Sequence, residues 1–203
     1  MAKEKSSINF IPWKGKNYDS VDNCFGFRLA VIGLSFYSNE CSSQNCKFKQ
    51  QCSNGHCRLW AHETIEWLNY RPFKRFCNLL APDLSAYTVW NSIIFTNYLQ
   101  IGVSRWNEIR KDCYDVAEQA FFEMIEDPQY KPQKLILWGA QLRDYGPSGD
   151  WTWTHSESIP YTGYYRLADS SKVMTYCLTH PSAFQSDEFW EEEGKRLRNW
   201  MNE

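Results

Sequence analysis

The stretch FRLAVIG, residues 27–33, is an apolar run that ends in glycine. A run of this length and composition predicts a buried strand that stops at a tight turn. Three further runs have the length and apolar character of buried strands: SIIFTNYL at residues 92–99, KLILWG at 134–139 and VMTYCL at 173–178. These four segments are the main strands that the sequence predicts.

Helical segments lie between these strands. They are predicted from His62 to about Leu80 with an interruption at Pro72, from Asn107 to Glu126, from residue 140 to a stop at Gly146 and Pro147, and from about Asp187 to Met201. In the second of these, Asn107 is the expected cap and the apolar stripe consists of Val116, Ala117, Ala120, Phe121, Met124 and Ile125. Residues 146–163 show no period and are interpreted as a long surface loop.

Strands that alternate with helices predict an α/β fold. We expect a three-layer α/β/α sandwich around a central, mostly parallel four-stranded sheet, and one domain over residues 1–203. The composition supports a sizeable core, since 43% of the residues are hydrophobic and 23% are charged. The aromatic share of 17% exceeds what such a core needs and favours a lined pocket or a stacking surface.

The charge balance limits the partners. With 22 basic and 24 acidic residues the net charge is -2, which argues against nonspecific coating of nucleic acid. No apolar run is long enough to span a membrane and no secretory signal opens the chain, so a soluble, cytoplasmic protein is expected, with a monomer as the favoured state. Positive charge gathers in four clusters, which are either small DNA contacts or scattered solvated faces: Lys14 and Lys16; Lys47, Lys49 and Arg58; Arg71, Lys74 and Arg75; and Lys195, Arg196 and Arg198.

The eight cysteines fall into two groups. Four stand alone and are interpreted as small buried hydrophobes: Cys24, Cys77, Cys113 and Cys177. The other four form C-x4-C-x5-C-x4-C in a polar loop at residues 41–57: Cys41, Cys46, Cys52 and Cys57. This spacing predicts a structural site for zinc or an iron–sulfur cluster, in which His56 can replace one thiolate. The alternative is free or partly paired thiols on an exposed loop.

Ligands of open α/β sheets bind at the carboxyl ends of the strands. The residues predicted at those ends are Gly33 to Tyr37, Asn97, Trp138 and Gly139, and His180 to Ser182. Four segments there resemble, in matching order, the motifs of the uracil-DNA glycosylase superfamily. They are IGLSFY at residues 32–37, FTNYL at 95–99, LILWGAQ at 135–141 and HPSAF at 180–184.

The resemblance implies a site made of three groups of residues. The catalytic group comprises His180, Ser35 and Asn97. The base pocket comprises Gly33, Phe36, Tyr37, Asn97 and Trp138. The DNA-binding group comprises Ser182, Phe184 and Gly139. In this arrangement Asn97 reads the edge of the base and His180 donates a hydrogen bond to the leaving base, while Ser182 binds a phosphate and Phe184 wedges the duplex.

The implied function is that of a DNA glycosylase, an N-glycosyl hydrolase that leaves an abasic site after removing a flipped-out uracil or modified pyrimidine. Such an enzyme serves DNA repair or defence against modified viral DNA, and it needs no cofactor for catalysis. One position departs from the uracil-specific pattern, because Ser35 stands where that family has an Asp that holds the attacking water. Glu40 is a nearby carboxylate that can substitute for it, although a solvated loop residue is the ordinary interpretation.

Two other functions stay open. The first is a catalytically silent module that binds a nucleobase or nucleic acid on the same fold, with the cysteine loop as a structural zinc element; Ser35 favours it. The second is a zinc-dependent hydrolase that uses the cysteines and His155. Trp151 and Trp153 lie close to His155 in the sequence, and three roles are open for them. They line an enlarged base pocket, they stack on single-stranded DNA, or they only pack within their own loop.

Overall fold

The structure is a computed structural model. It describes residues 6–8, 10–37, 68, 70–100, 102–103, 111–147, 151–154 and 162–203, with the backbone alone at residues 36–37, 102–103, 111–112, 140 and 151–154. The strands in this part of the chain are β1 (Trp13–Lys14), β2 (Leu29–Gly33), β3 (Phe36–Tyr37), β4 (Ile93–Asn97), β5 (Gly102–Val103), β6 (Lys134–Trp138), β7 (Trp151–Thr154), β8 (Thr162–Arg166) and β9 (Lys172–Leu178). The helices there are α1 (Arg71–Leu80), α2 (Ala86–Asn91), α3 (Lys111–Glu126), α4 (Ala140–Tyr145) and α5 (Asp187–Asn202).

The main sheet has a parallel centre and antiparallel edges. Within the described residues its strand order is β1-β4-β2-β6-β9-β8-β7, and the four central strands, β4, β2, β6 and β9, run parallel to one another. These are the four strands that the sequence predicts. Strands β1, β8 and β7 pair antiparallel at the two edges, while β3 and β5 form a separate two-stranded sheet.

The prediction of a four-stranded, mostly parallel sheet is therefore wrong in its extent, because the described sheet is mixed and has seven strands. The α/β class itself is confirmed. The surface loop expected at residues 146–163 is also wrong in part. Trp151 pairs with Tyr165 and Thr154 with Thr162, so β7 and β8 form an antiparallel ladder. The alternation of Trp and Thr in WTWT is a period of two, which is the strand signal that the interpretation as a loop passed over.

Helices cover both faces of the sheet, as expected. On one face, α3 and α4 pack against the inward side chains of Ala30, Ile32, Leu135 and Leu137. On the other face, α1, α2 and α5 pack against those of Val31, Phe95, Ile136, Trp138 and Leu178. Successive residues of each central strand thus enter opposite layers, which is the alternation that a sheet buried on both sides requires.

The helix predictions are largely confirmed. Pro72 lies in the first turn of α1, where its missing N–H leaves no hydrogen bond unmade, and α5 begins after Ser186, whose hydroxyl accepts from the Phe189 N–H at 3.2 Å. The expected cap Asn107 and most of the helix before Pro72 lie outside the described residues. Val116 is a correction to the predicted stripe of α3, since its side chain is 50% exposed. Helix α2, capped by Ser85, was not predicted.

The isolated cysteines behave partly as expected. Cys77 and Cys177 are buried, and burial raises the pKa of both thiols to about 12. A thiol with so high a pKa carries almost no thiolate at neutral pH and is chemically inert. Cys24 and Cys113 are only partly buried, which corrects the expectation for these two. In the part of the chain that the structure describes, no helix is long and apolar enough to span a membrane.

Candidate functional site at the carboxyl edge of the sheet

Four adjacent parallel strands end at the same edge of the sheet, and each contributes a residue expected at the site. Gly33 of β2 is paired in register with Asn97 of β4, Trp138 of β6 is paired with Leu178 of β9, and His180 follows Leu178 by two residues. Neighbouring strands lie about 4.8 Å apart. The sheet therefore brings Asn97, Gly33, Trp138 and His180 into one row, in that order.

The side chains of this row share one face of the sheet. Phe95, Val31 and Trp138 belong to the core layer beneath α1, α2 and α5. Asn97 and Gly33 lie two residues beyond Phe95 and Val31 and so point the same way. This face ends in an aromatic floor, because the Trp138 ring packs edge-on against Phe95 with 5.4 Å between ring centroids. The carboxamide of Asn97 is consequently set above apolar rings rather than in water.

Gly33 provides the space that Asn97 occupies. A Cβ atom at Gly33 would lie 2.2 Å from the Asn97 Oδ1 atom, so every other residue type would push the carboxamide away. The Asn97 side chain is 3% exposed, and its buried Nδ2 atom has no hydrogen-bond partner among the described residues. The turn that follows is held by Gln100, whose amide donates to the Asn97 carbonyl at 2.9 Å. A buried amide donor without a partner is costly, and a ligand that accepts from it would offset that cost; the described residues contain two other such donors, Trp190 Nε1 and Arg196 Nε, on α5.

Trp138 links the floor of the site to His180. Its ring packs edge-on against Phe76 at 5.0 Å and against the His180 ring at 5.9 Å with 79° between the planes. Its Nε1 atom is buried without a hydrogen-bond partner among the described residues, as Nδ2 of Asn97 is. Two orphaned donors thus lie on the same face of the row, at the ends of β4 and β6, with Gly33 of β2 between them.

The contacts of His180 fix which of its nitrogens carries the proton. The Ser182 backbone N–H donates to His180 Nδ1 at 3.1 Å, and the Ser182 hydroxyl lies 2.7 Å from the same atom. Because a backbone N–H can only donate, Nδ1 is an acceptor and the proton of the neutral ring is on Nε2. Burial lowers the pKa of His180, which favours this neutral form. His180 is therefore a neutral Nε2–H donor.

Gly139 allows the close approach of the strands at this point. Its φ is +106°, and a Cβ atom there would lie 3.3 Å from the His180 Cβ atom. After His180 the chain turns sharply, with the Ala183 N–H bonded to the His180 carbonyl at 2.8 Å. Ser182 is exposed and Phe184 is 102% exposed, so two of the three residues predicted to bind DNA lie on the outer surface of this part of the chain, and Gly139 is the third.

Other predicted residues are placed less fully. Ser35 is buried directly after β2, and β3, which contains Phe36 and Tyr37, pairs with β5; the side chains of these two aromatic residues are not described. Trp151 and Trp153 belong to β7, again with the backbone alone described. Glu40, the cysteine loop with Cys41, Cys46, Cys52 and Cys57, and His155 lie outside the described residues. The residues that are described contain no cluster of three or more His, Cys, Asp or Glu side chains suited to a metal.

Two charged side chains contact the His180 turn and were not connected with it from the sequence. Arg75 of α1 donates to the Pro181 carbonyl at 2.7 Å, and Glu193 of α5 accepts from the Thr179 N–H at 3.2 Å. Arg75 is 106 residues away from its partner, a separation that no local pattern spans. The sequence indicates Arg75 only as a member of the basic cluster with Arg71 and Lys74.

An open groove lies at the other end of the parallel strands, where they begin. Its lining residues include Asp19, Asn23, Arg28 and Gln133. The Asn23 amide is already satisfied by the carbonyls of Tyr18 and Ser92, at 2.9 and 3.1 Å. The groove contains none of the residues expected from the strand ends. The carboxyl edge, with its two orphaned donors and its neutral histidine, is the stronger candidate.

Comparison with models of known protein families found no match, and comparison with curated proteins found no significant similarity either.

Proposed function

We propose that this protein is a DNA glycosylase, which hydrolyses the N-glycosidic bond of a flipped-out uracil or modified pyrimidine and leaves an abasic site. The observation that carries the proposal is the state of His180, a partly buried imidazole whose Nδ1 is engaged by Ser182 and whose Nε2–H is left as the donor. A neutral donor beside an aromatic floor is suited to a base that becomes an anion when it leaves.

In the proposed reaction the bond between C1′ of the sugar and the ring nitrogen of the base breaks, and the electron pair stays with the base. The base leaves as an anion whose charge is spread onto its carbonyl oxygen, while the sugar becomes an oxocarbenium ion. Water then adds to C1′, and the proton that it loses neutralises the base anion, so the products are the abasic sugar and the neutral base. His180 donates its Nε2–H hydrogen bond to the base oxygen, a bond that strengthens as negative charge develops and so lowers the barrier.

Asn97 has the chemistry to read the base. A carboxamide presents one acceptor and two donors, which matches the adjacent carbonyl and imino groups on the edge of a uracil-type ring. Its Nδ2 lacks a partner among the described residues, so binding a base carbonyl would satisfy a donor that the protein leaves orphaned. The same hydrogen bonds suit several pyrimidines, since Asn97 would contact the edge that carries the carbonyl and imino groups and not positions 5 and 6 of the ring.

The motif order supports a more specific layout. The four segments that resemble the uracil-DNA glycosylase superfamily fall on β2, β4, β6 and the turn after β9, all at one edge. We propose that the chain is a divergent member of that superfamily, with two antiparallel strands, β7 and β8, added beyond β9. The cysteine loop is proposed as a structural site for zinc or an iron–sulfur cluster that takes no part in the chemistry.

A second candidate is favoured by Ser35. A hydroxyl at this position cannot act as an anionic base or balance a cationic sugar as a carboxylate does. A silent module that binds nucleobases would keep Asn97 and the aromatic floor and would not need the carboxylate. The variant Ser35→Asp separates the two functions, because an active glycosylase keeps or gains rate when the carboxylate is supplied, whereas a module rebuilt around a larger base loses binding.

The test of the proposed function is incubation with oligonucleotides that carry uracil or different modified pyrimidines, followed by alkaline cleavage at abasic sites. Wild-type protein should cut at one or more of these bases, and His180→Ala should slow base release by roughly 100-fold, the typical loss of one oxyanion donor. DNA affinity and the unfolding midpoint should stay near those of wild type. Wild-type protein that binds DNA but releases no base would make the silent module the better description.

A further inference from the structure

The segment that carries His180 is held by two charged side chains from different helices. It runs from Thr179 through the turn to Ala183, and its hydrogen bonds within the turn are those of Ser182 and Ala183 to His180. The outer part of the turn is exposed at Ser182. The position of this segment relative to Asn97 and Trp138 therefore depends on the side chains that contact it on its inner side.

Arg75 binds the backbone of the turn after His180. Its Nη1 atom donates to the Pro181 carbonyl at 2.7 Å and lies 3.3 Å from the Ala183 carbonyl, and its guanidinium stacks on the Trp190 ring at 4.7 Å from the centroid. This cation–π contact adds a third partner to the guanidinium beside the two carbonyls and so restricts its movement. The turn is thereby tied to α1 and to α5 at once.

Glu193 binds the backbone of the segment before His180. One of its carboxylate oxygens accepts from the Thr179 N–H at 3.2 Å, and the other accepts from Arg196 at 3.0 Å. The residue is 5% exposed. A carboxylate buried this far is expensive unless it is paired and hydrogen-bonded, and here Arg196 and the Thr179 N–H meet that requirement together.

From these contacts we infer that Arg75 and Glu193 are positioning residues of the site, which hold the backbone on both sides of His180 so that its Nε2–H faces the leaving base. The inference rests on the proposed function for the reaction that this position serves. Neither side chain touches the base. Both act through the backbone of residues 179, 181 and 183, and a displacement of about 1 Å at a catalytic group costs about 100-fold in rate.

The first test needs no enzymatic activity. Amide hydrogen exchange, followed by NMR, should show faster exchange at Ser182 and Ala183 in Arg75→Ala by roughly 10- to 100-fold, the factor that the loss of a hydrogen bond to a charged donor implies. Amides of the central strands should exchange as in wild type. The matched control is Arg198→Ala, which removes another guanidinium that bonds a carbonyl, that of Leu79 at 2.7 Å, at the far end of α1. It should leave Ser182 and Ala183 unchanged.

The second test separates the Glu193 contact from its charge. Glu193→Gln keeps an oxygen that accepts from Thr179, whereas Glu193→Leu removes it; both variants leave Arg196 without its carboxylate. Both should therefore lower the unfolding midpoint, but only Glu193→Leu should speed the exchange of the Thr179 amide, by about tenfold or more. If both variants change that amide equally, the contact has no positioning role.

The third test uses abasic-site formation in single turnover. Arg75→Ala should lower the rate of base release by about 10- to 100-fold with little change in DNA affinity, and Arg75→Lys, which keeps one donor, should recover part of it. Unchanged exchange at Thr179, Ser182 and Ala183 in folded Arg75→Ala and Glu193→Leu would overturn the inference. If Arg75→Ala does not fold, the exchange of Arg75→Lys decides. Wild-type protein without base release would remove the proposed function and leave the exchange results to decide the positioning role.

Discussion

At the scale of single residues, the tightest constraint in the site is the contact between Gly33 and Asn97. In Gly33→Ala the new Cβ would lie 2.2 Å from Asn97 Oδ1, so the carboxamide must move. We expect a loss of about 1–3 kcal/mol of stability, as for other overpacked buried positions, and a loss of base release similar to that of Asn97→Ala. Urea unfolding and abasic-site formation measure the two effects.

The double variant Gly33→Ala, Asn97→Ala tests whether the two effects have one cause. Removing the carboxamide makes room for the added methyl group, so the double variant should be more stable than the sum of the single changes predicts, by about 1 kcal/mol or more. Additive losses would show that the methyl group meets some other part of the protein.

The charge state of His180 makes a prediction about pH. Burial lowers the pKa of His180 below its usual value near 6.5, so between the two pKa values the unfolded chain binds more protons at this ring than the folded protein does. The contribution of the neutral ring to stability is complete above about pH 6.5 and is lost as the pH falls through the folded pKa. Urea midpoints between pH 8 and pH 5 should therefore fall more in wild type than in His180→Gln, which cannot be protonated. Parallel curves would contradict the lowered pKa.

At the scale of elements, the hairpin turn between β8 and β9 contains a strained residue. Ser170 has a φ of +67°, and the turn is closed by its N–H to the Leu167 carbonyl and by the Leu167 N–H to the Ser171 carbonyl, both at 2.9 Å. Glycine adopts this conformation without a steric cost. Ser170→Gly should raise the stability by about 0.5–1 kcal/mol in thermal unfolding, whereas Ser170→Ala, which keeps the Cβ atom, should not.

The same scale shows which elements local sequence can reveal. The runs that became β2, β4, β6 and β9 are apolar on both faces, and this signal was sufficient because the parallel centre is buried on both sides. Strand β8, TGYYR, has a burial pattern that is only half inward, and β7 lies among Gly, Ser and Pro, so the turn composition outweighed the alternation. Edge strands of this kind take their conformation from the partner strand, which local sequence does not show.

The site follows the same division. His180, Asn97, Gly33 and Trp138 were predictable because each lies at the end of a strand whose position the apolar runs give. Arg75 and Glu193 were not, because each lies on a helix among other charged residues and bonds a backbone group outside its own helix, 106 residues away for Arg75 and 14 for Glu193. The tautomer of His180 likewise depends on the geometry of the turn, in which the Ser182 N–H is directed at Nδ1. This geometry cannot be inferred from the sequence.

At the scale of the whole molecule, the distribution of charge matters more than its sum. The net charge is -2, yet Arg71 and Lys74 are exposed on α1, the helix whose Arg75 bonds the turn of His180, Ser182 and Phe184. Phe184 is fully exposed, and under the proposed function its ring would contact the stacked bases of DNA. Among the described residues, α1 thus carries two exposed basic side chains, Arg71 and Lys74, and the turn that its Arg75 bonds is followed by an exposed aromatic one, Phe184.

If Arg71 and Lys74 contact DNA phosphates, as the proposed function implies, the affinity for DNA should depend on salt concentration through these two residues. Each phosphate that a Lys or Arg neutralises contributes about 0.9 to the slope of log affinity against log salt concentration for duplex DNA. The double variant Arg71→Ala, Lys74→Ala should reduce that slope by about 1–2 and weaken binding in low salt. The matched control is Arg166→Ala, Lys172→Ala, which likewise removes one Arg and one Lys, from exposed positions that face each other across β8 and β9 and belong to none of the four basic clusters. Equal losses in both double variants would mean that binding depends on net charge alone, whereas a loss confined to Arg71 and Lys74 places the DNA backbone beside the His180 turn.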